Sequence, residues 1–509
     1  MKQPIRRSRS ALAALLVLCL LLSGCAASSI LPEGGSEEAV LPEPGEATYA
    51  PAQGDQTAAC TQEARLYYPT ADGRDLAAVT RTVISTDEKR VEEQVLELLL
   101  SETPTGLSPV APEGASIRSL TISCGVATVD LSLSVPADEQ AVLRMQSAIG
   151  NTLASLAGVE AVNLLLDGRK TALRGLSAGL TRLSENSSLS AQWSQLLADE
   201  ELMSAASITR EAAVYYLGRE GEYLAPQIRT VTLSGGNPVG DLLSFMQEQP
   251  EESALRAALP QEDLLAEQPK LLITAGGERI VKVVFAANSM AAFESRGLAP
   301  WQVYAALTLT LTGFVPELDG VCVYVGEGQV LRTACPIGEL VFPGGIMHRD
   351  DFTPYVGERL TVLETGGDGL LAESTRLVNL SETPATARGL ISATLDGPEA
   401  WETGLTRVAP EGVSGGELLG VTVGDGRAVV NFSARFYEAC QALSAAQERN
   451  LAYALVNSLC TLPEVRSVCF QREGQAVEYL AGSVYLRVPL IPNPGLVSEG
   501  SQAENLIAP

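Results

Sequence analysis

The residues of this 509-residue chain whose types and spacing could do chemistry are Asp130 and Ser132, a carboxylate two positions from a hydroxyl, and the later pair Asn431 and Ser433. A carboxylate beside a hydroxyl could begin a general-base or nucleophile arrangement. In the second pair the acid has become an amide, which serves as neither base nor nucleophile. Both pairs stand at the end of a strand-like run before a helix-like one. The expectation is structural: they cap the coming helix or close a turn through backbone hydrogen bonds. No catalytic residue is expected, and the chain reads as a non-enzyme.

Other candidates reduce in the same way. His348 is the one histidine, which excludes any site needing two imidazoles and argues against a histidine-based triad or zinc cluster. It lies in Phe342-Pro-Gly-Gly-Ile-Met-His348-Arg-Asp-Asp351, which reads as an exposed linker, and Asp350 and Asp351 lack the spacing of a calcium loop. Glu113, Asp130 and Glu411 are the carboxylates a glycan-cleaving module would need, but Ala111-Pro-Glu-Gly114 and Ala409-Pro-Glu-Gly412 read as solvated turns. Gly235-Gly236, Gly276-Gly277 and Gly415-Gly416 are turns with no Gly-Lys-Ser/Thr phosphate cradle beside them. Cys60, Cys124, Cys322, Cys335, Cys440, Cys460 and Cys469 form an odd set without a C-x-x-C motif. Pairing of Cys60 with Cys124, or of two of the last three, is conceivable, but most read as small buried apolar residues. No metal and no cofactor are expected.

The elements that must position these residues repeat along the chain. Tyr67-Tyr68 returns as Tyr215-Tyr216, and Pro112 returns as Pro260 and Pro410, a period of about 150 residues. Gly125-Val-Ala-Thr-Val-Asp-Leu-Ser132 returns as Gly426-Arg-Ala-Val-Val-Asn-Phe-Ser433. In the first copy Arg65 to Tyr68 and Leu76 to Ile84 read as strands around an Asp-Gly turn. Val91, Val95, Leu98 and Leu99 mark a helix behind a cap at Thr86 or Asp87. Ile117 to Ser123 and Val126 to Leu133 read as a second hairpin, Val142 to Leu156 as a second helix and Val159 to Leu166 as a closing strand.

The third copy offers strands Leu418 to Val423 and Ala428 to Phe432, a helix Ala442 to Leu462 and a strand Val465 to Phe470. The middle copy is altered: Ile280 to Ala287, Trp301 to Leu311 and Pro316 to Val325 stand in outline, with Val284, Phe285 and Ala286 where the first copy has Asp130, Leu131 and Ser132. The fold class is α+β: three tandem copies of a small helix-strand-strand-helix-strand sandwich, the middle one degenerate.

At these residues the chain resembles the GerMN domain of bacterial sporulation and spore-germination lipoproteins. The resemblance rests on Gly125 to Ser132, the following helix, Leu156-Ala-Gly-Val-Glu-Ala-Val162 and Asp167-Gly168, and on Gly426 to Ser433, Leu462-Pro-Glu-Val465 and Glu473-Gly474. It implies a non-enzymatic, ring-building-like fold and a scaffold role in sporulation or germination. Partners would be envelope or sporulation proteins, or further copies of the chain. Familiar members carry two copies, whereas three are read here, with inserts at Leu176 to Ser207 and Val330 to Thr353. The other function class considered is a cell-wall (peptidoglycan) binding or remodelling module.

Lys2, Arg6, Arg7 and Arg9 precede an apolar run from Ala11 to Leu22 and then Ser23-Gly24-Cys25, the pattern of a secretory signal whose cysteine takes a diacylglycerol anchor. The expected organisation is a signal at 1–24, an acidic Pro/Gly-rich tether at 25–59, domains at 60–175, 208–330 and 354–487, and a tail at 488–509. The protein is expected to be extracytoplasmic and lipid-anchored through Cys25. With 35 basic against 61 acidic residues, a net charge of -26, nucleic acid gains nothing general by binding it.

Overall fold

The computed structural model describes residues 56–498 apart from 58–59, 86–89, 185–187, 204–206, 235–236, 262–263 and 380–386. The expected signal, Cys25, nearly all of the tether and the end of the tail lie outside the described residues.

A hairpin, a helix, a second hairpin, a helix and a parallel strand follow one another in each of three runs, with a short extra helix in the second and third. The first run begins with a hairpin, β1 (Cys60–Pro69) and β2 (Leu76–Ser85), followed by helix α1 (Val91–Ser101). A four-stranded sheet is then built from β3 (Ser116–Ser123), β4 (Val126–Ser132), β5 (Ala161–Leu166) and β6 (Arg169–Lys170), with helix α2 (Glu139–Ala154) crossing between β4 and β5. The crossover makes β4 and β5 parallel, while β3 and β4 pair antiparallel. The β3–β4 turn is Cys124-Gly125, both at positive φ (46° and 77°), as a two-residue hairpin turn of primed type requires. A helix α3 (Leu189–Met203) occupies the expected insert.

The middle run repeats this with β7 (Ser207–Gly218), β8 (Leu224–Ser234), α4 (Pro238–Gln247), β9 (Leu265–Ile273), β10 (Arg279–Phe285), α5 (Ser289–Ser295), α6 (Pro300–Phe314) and β11 (Gly320–Val325). The insert read at Val330 to Thr353 begins with a hairpin, β12 (Arg332–Cys335) and β13 (Gly338–Val341), and the stretch Phe342 to Asp351, read as an exposed linker, instead holds a strand β14 (Ile346–His348) paired with β11. Phe342, Met347, Phe352 and Val356 belong to the same core as α6, so that core runs past residue 330. The alternation of Phe, Met and Phe with glycines and charges carries no clean period, which hides a buried segment from sequence.

The third run comprises β15 (Gly357–Thr365), β16 (Leu371–Asn379), α7 (Ala387–Asp396), β17 (Leu418–Gly424), β18 (Arg427–Phe432), α8 (Ala434–Cys440), α9 (Ala445–Leu459), β19 (Ser467–Arg472) and β20 (Gln475–Ala476). The helix expected over Ala442 to Leu462 is α9, and α8 is a further short helix ahead of it. Ser433 opens α8 by accepting from Phe436 N, and Ser444 opens α9 in a capping box with Gln447. In the first run the helix cap expected at Thr86 or Asp87 is Arg90, whose side chain makes no capping bond.

Each run carries its own core. In the first, Leu66, Leu96, Leu99, Val129, Leu131 and Ile149 are wholly or almost wholly buried between the helices and the two sheets. Each such side chain contributes about 1.5–3 kcal/mol. Helix α6 differs from its counterparts: every residue from Trp301 to Phe314 is buried, and it carries no charged side chain. It lies against β7, β11 and the β12–β13 hairpin of its own run and against β6 of the first.

Candidate functional site

The strand β4 brings Asp130 to the turn between β5 and β6. That turn is Asp167-Gly168, with both residues at positive φ (51° and 78°). Asp130 Oδ1 accepts from Gly168 N at 2.9 Å, and its Oδ2 accepts from Arg118 at 2.7 Å. Burial pushes the Asp130 carboxyl above its ordinary value, against the opposing pull of the Gly168 N–H and Arg118. Ser132 donates to Asp167 Oδ1 at 2.9 Å, so carboxylate and hydroxyl are both joined to the same two-residue turn.

The third run has the same arrangement in neutral form. Asn431 Oδ1 accepts from Gly474 N at 2.8 Å, in the turn Glu473-Gly474, again at positive φ (51° and 81°). Ser433 donates to Glu417 and caps α8 through Phe436 N at 3.3 Å. Both motif positions therefore hold the glycine N–H of a turn, which explains why Asp and Asn interchange: each offers one acceptor oxygen at that place.

The partner residue covaries. A β-bulge interrupts the first strand of each sheet at the same place: between Ile117 and Ser119, between Leu265 and Glu267, and between Leu418 and Gly420. The extra residue is Arg118, Ala266 and Leu419 in turn. Arg118 accompanies Asp130, Leu419 accompanies Asn431, and Ala266 accompanies Val284. Only the first run has a charged bulge residue, and only there is the motif residue a carboxylate. Gly326 N donates to Phe285 O, as Asp167 N does to Leu131 O and Glu473 N to Phe432 O, which places Val284 at the motif position of the middle run.

A second recurring bond was not read from the sequence. Thr152 Oγ1 on α2 accepts from Tyr67 N at 2.9 Å, Thr310 Oγ1 on α6 from Tyr215 N at 3.0 Å, and Ser458 Oγ on α9 from Leu363 N at 3.0 Å. In each run a hydroxyl on the second helix thus holds the backbone of the opening hairpin. Its signal is weak, because a lone Thr or Ser on a buried helix face looks like a packing residue.

The remaining candidates come apart in space. Glu113 and Glu411 are exposed turn residues. His348 sits on β14, half-buried, 3.5 Å from Glu278, and its backbone N–H donates to Asp351 at 2.8 Å. Cys124, Cys322, Cys335, Cys440 and Cys460 are free thiols, so no bridge joins two of the last three cysteines; the side chain of Cys60 is outside the described residues. Burial pushes the Cys124 thiol up to about 11 and those of Cys440 and Cys460 to about 12, far from a reactive thiolate.

Two buried ionisable groups stand out instead. Lys170 on β6 is 1% exposed, and its ammonium nitrogen donates to Asn163 Oδ1 at 2.8 Å and Gly179 O at 2.6 Å. Burial without a counter-charge lowers its pKa to about 7. Glu448 on α9 is also 1% exposed; its carboxylate accepts the backbone N–H groups of Ala481, Gly482, Ser483 and Val484 at 2.7–3.1 Å. Burial raises its pKa, but these amides outweigh it and the net shift is downward. Neither group faces a partner nucleophile, and the arrangement is one that holds backbone in place.

Comparison with known proteins gives one family. Residues 65–172 and 365–478 match the Germane model, described as sporulation and spore germination. Among solved structures, the chain is similar to the tandem GerMN domains of the sporulation protein GerM from Bacillus subtilis, at 20% identity over 57% of this chain and 99% of that one, with a TM-score of 0.23. The first GerMN domain of the same protein matches at 22% identity over 25% of this chain and 97% of that one, TM-score 0.19. A Clostridium perfringens protein described as a candidate lipoprotein matches at 17% identity over 23% and 84%, TM-score 0.17. No curated protein matches the chain. Among the described residues, no helix is long and apolar enough to cross a membrane.

Proposed function

Because residues 65–172 and 365–478 belong to the Germane family of sporulation and spore germination, we propose that the chain is a non-enzymatic assembly scaffold of spore formation or germination, held outside the cytoplasm by a lipid on Cys25. The family match carries the reading. It is supported by the motif residues, whose polar atoms are engaged within their own repeats and leave no reacting group poised for a substrate. The middle run is read as a third, altered copy of the same domain, on the strength of its bulge and its Thr310 bond.

Direct contacts between the runs support a scaffold that presents its repeats as one body. Ser123 donates to Gly357 O, Arg359 pairs with Glu252, Arg169 pairs with Asp319, and Glu317 N donates to Lys170 O. Repeats fixed relative to one another can offer several weak contacts to an envelope or sporulation protein at once, or to further copies of the chain. Nucleic acid is not a partner on this reading, given the net charge of -26.

The test is the position of a fluorescently tagged full chain through growth and spore formation, with Cys25→Ala as control. Enrichment at the septum or around the forespore, lost in the control, is the expected result. A uniform signal in growing cells, with normal spore yield on deletion, would overturn the sporulation role. Peptidoglycan binding is the second reading.

A further inference from the structure

The middle run lost the polar motif, and it differs in one more respect. In the first and third runs the opening helix lies against the second helix, α1 on α2 and α7 on α9. In the middle run α4 leans chiefly on its own hairpin strand β8. A cleft of about 390 Å³ opens between α4 and the sheet edge β9–β10, within the size range of about 300–1,000 Å³ typical of small-molecule sites.

The chemistry of its walls is narrow. Leu243, Pro260 and Leu265 supply apolar surface over a base of Val283, Phe285 and Leu307. Among the described residues the polar lining is Asn237, Ser244, Gln247, Gln261 and Gln268 with a single carboxylate, Asp241, and no lysine, arginine or histidine. Asp241 is already engaged, accepting from Ser234 N and Ser234 Oγ at 2.7 Å. Asn237 Oδ1 accepts from Gly240 N at the start of α4, and its NH₂ donates to Gln268 Oε1, both at 3.0 Å. The rim is thus set in place before any ligand arrives, and the Gln268 NH₂ stays available as a donor.

This lining selects against charge. A phosphate or carboxylate ligand would meet no cation in the cleft and a strongly acidic chain around it. A divalent ion would find one carboxylate among the described residues, already in use. Side-chain amides instead offer donors and acceptors together, which suits a molecule with hydroxyl and acetamido groups and no net charge. We propose that the cleft between α4 and β9–β10 binds an uncharged N-acetylhexosamine oligosaccharide, with the acetamido group against Gln268 and a sugar ring on the Leu243–Leu265 wall. This goes beyond the scaffold reading and does not depend on it.

Calorimetric titration of chitotetraose into the purified full chain tests the proposal, with cellotetraose, which lacks the acetamido groups, as comparison. Saturable binding of chitotetraose is expected, with cellotetraose weaker by at least about tenfold, or about 1.4 kcal/mol. Ser244→Trp, at an exposed position on the mouth of the cleft, and Gln268→Ala should each weaken binding by a similar factor while leaving the circular dichroism spectrum unchanged. Absence of binding, equal binding of the two sugars, or binding untouched by both variants would overturn it. Loss of forespore localisation with chitotetraose binding retained would sink the scaffold role alone.

Discussion

A carboxylate inside a sheet keeps its charge only where a neighbour answers it, and Asp130 is answered by Arg118 from the bulge on the facing strand. Removing Arg118 alone strands a carboxylate whose side chain is 8% exposed, with only the Gly168 N–H beside it. Arg118→Leu should therefore lower stability by about 1 kcal/mol, the modest figure reflecting the partial exposure of the arginine itself. Adding Asp130→Asn recreates the Leu419–Asn431 combination and should recover most of that loss. Denaturant midpoints of the two single variants and the double variant measure the coupling; strictly additive losses would contradict the pairing. Lys170 makes a pH prediction of opposite origin. Its folded pKa of about 7 lies below the ordinary 10.5, so between those values the unfolded chain holds a proton that the folded chain does not. Stability from this site is full above about pH 10.5, falls as pH drops towards 7, and is flat below. Lys170→Met, compared with the parent from pH 7 to 10, should flatten that slope, and an unchanged slope would show that the lysine stays charged in the fold.

Among the elements, the loop from Leu480 to Val484 buries Leu480 in the core of its run, and its backbone N–H groups are gathered by one side chain from α9. Glu448 gathers four backbone N–H groups, a stronger hold than any single neutral bond, because the acceptor is charged. Glu448→Gln retains the volume but replaces one oxygen by a donor that faces those same N–H groups. Amide exchange at Ala481 to Val484 should accelerate by at least about tenfold, while strands β17 and β18 keep their protection. Equal protection in the variant would show that the loop is held by packing instead. Nothing in the sequence around Glu448 announces this role, since its partners come from a loop more than thirty positions onward. The elements that were legible are those with clean periodicity. The alternation of β3, β4, β17 and β18 and the Asp-Gly or Cys-Gly turns between them stand close to where the pattern places them. Helix α8 was missed because Ala434 to Cys440 is too short to show a period, and because Ser444 restarts the helix with a cap of its own.

At the scale of the whole molecule, the threefold order of elements could be read from spacing because strand and turn residues recur about every 150 positions. The packing of one run on the next could not, because it rests on single side chains at turns. Cys124 is the clearest case. It sits in the β3–β4 turn of the first run, yet packs in the core of the middle run, beside Ser123, which donates to Gly357 of the third. Helix α6 sets the order in which such a body can be completed. A polypeptide leaves the ribosome from its amino terminus, and α6 appears before the β12–β13 hairpin and β14 that cover it, but after β6, against which it also rests. For the time needed to synthesise those later residues, a fifteen-residue helix with no charged side chain has only part of its final surroundings. The middle run is therefore a step at which a nascent chain exposes apolar surface that could aggregate, and the segment from Val330 to Val356 closes that interval.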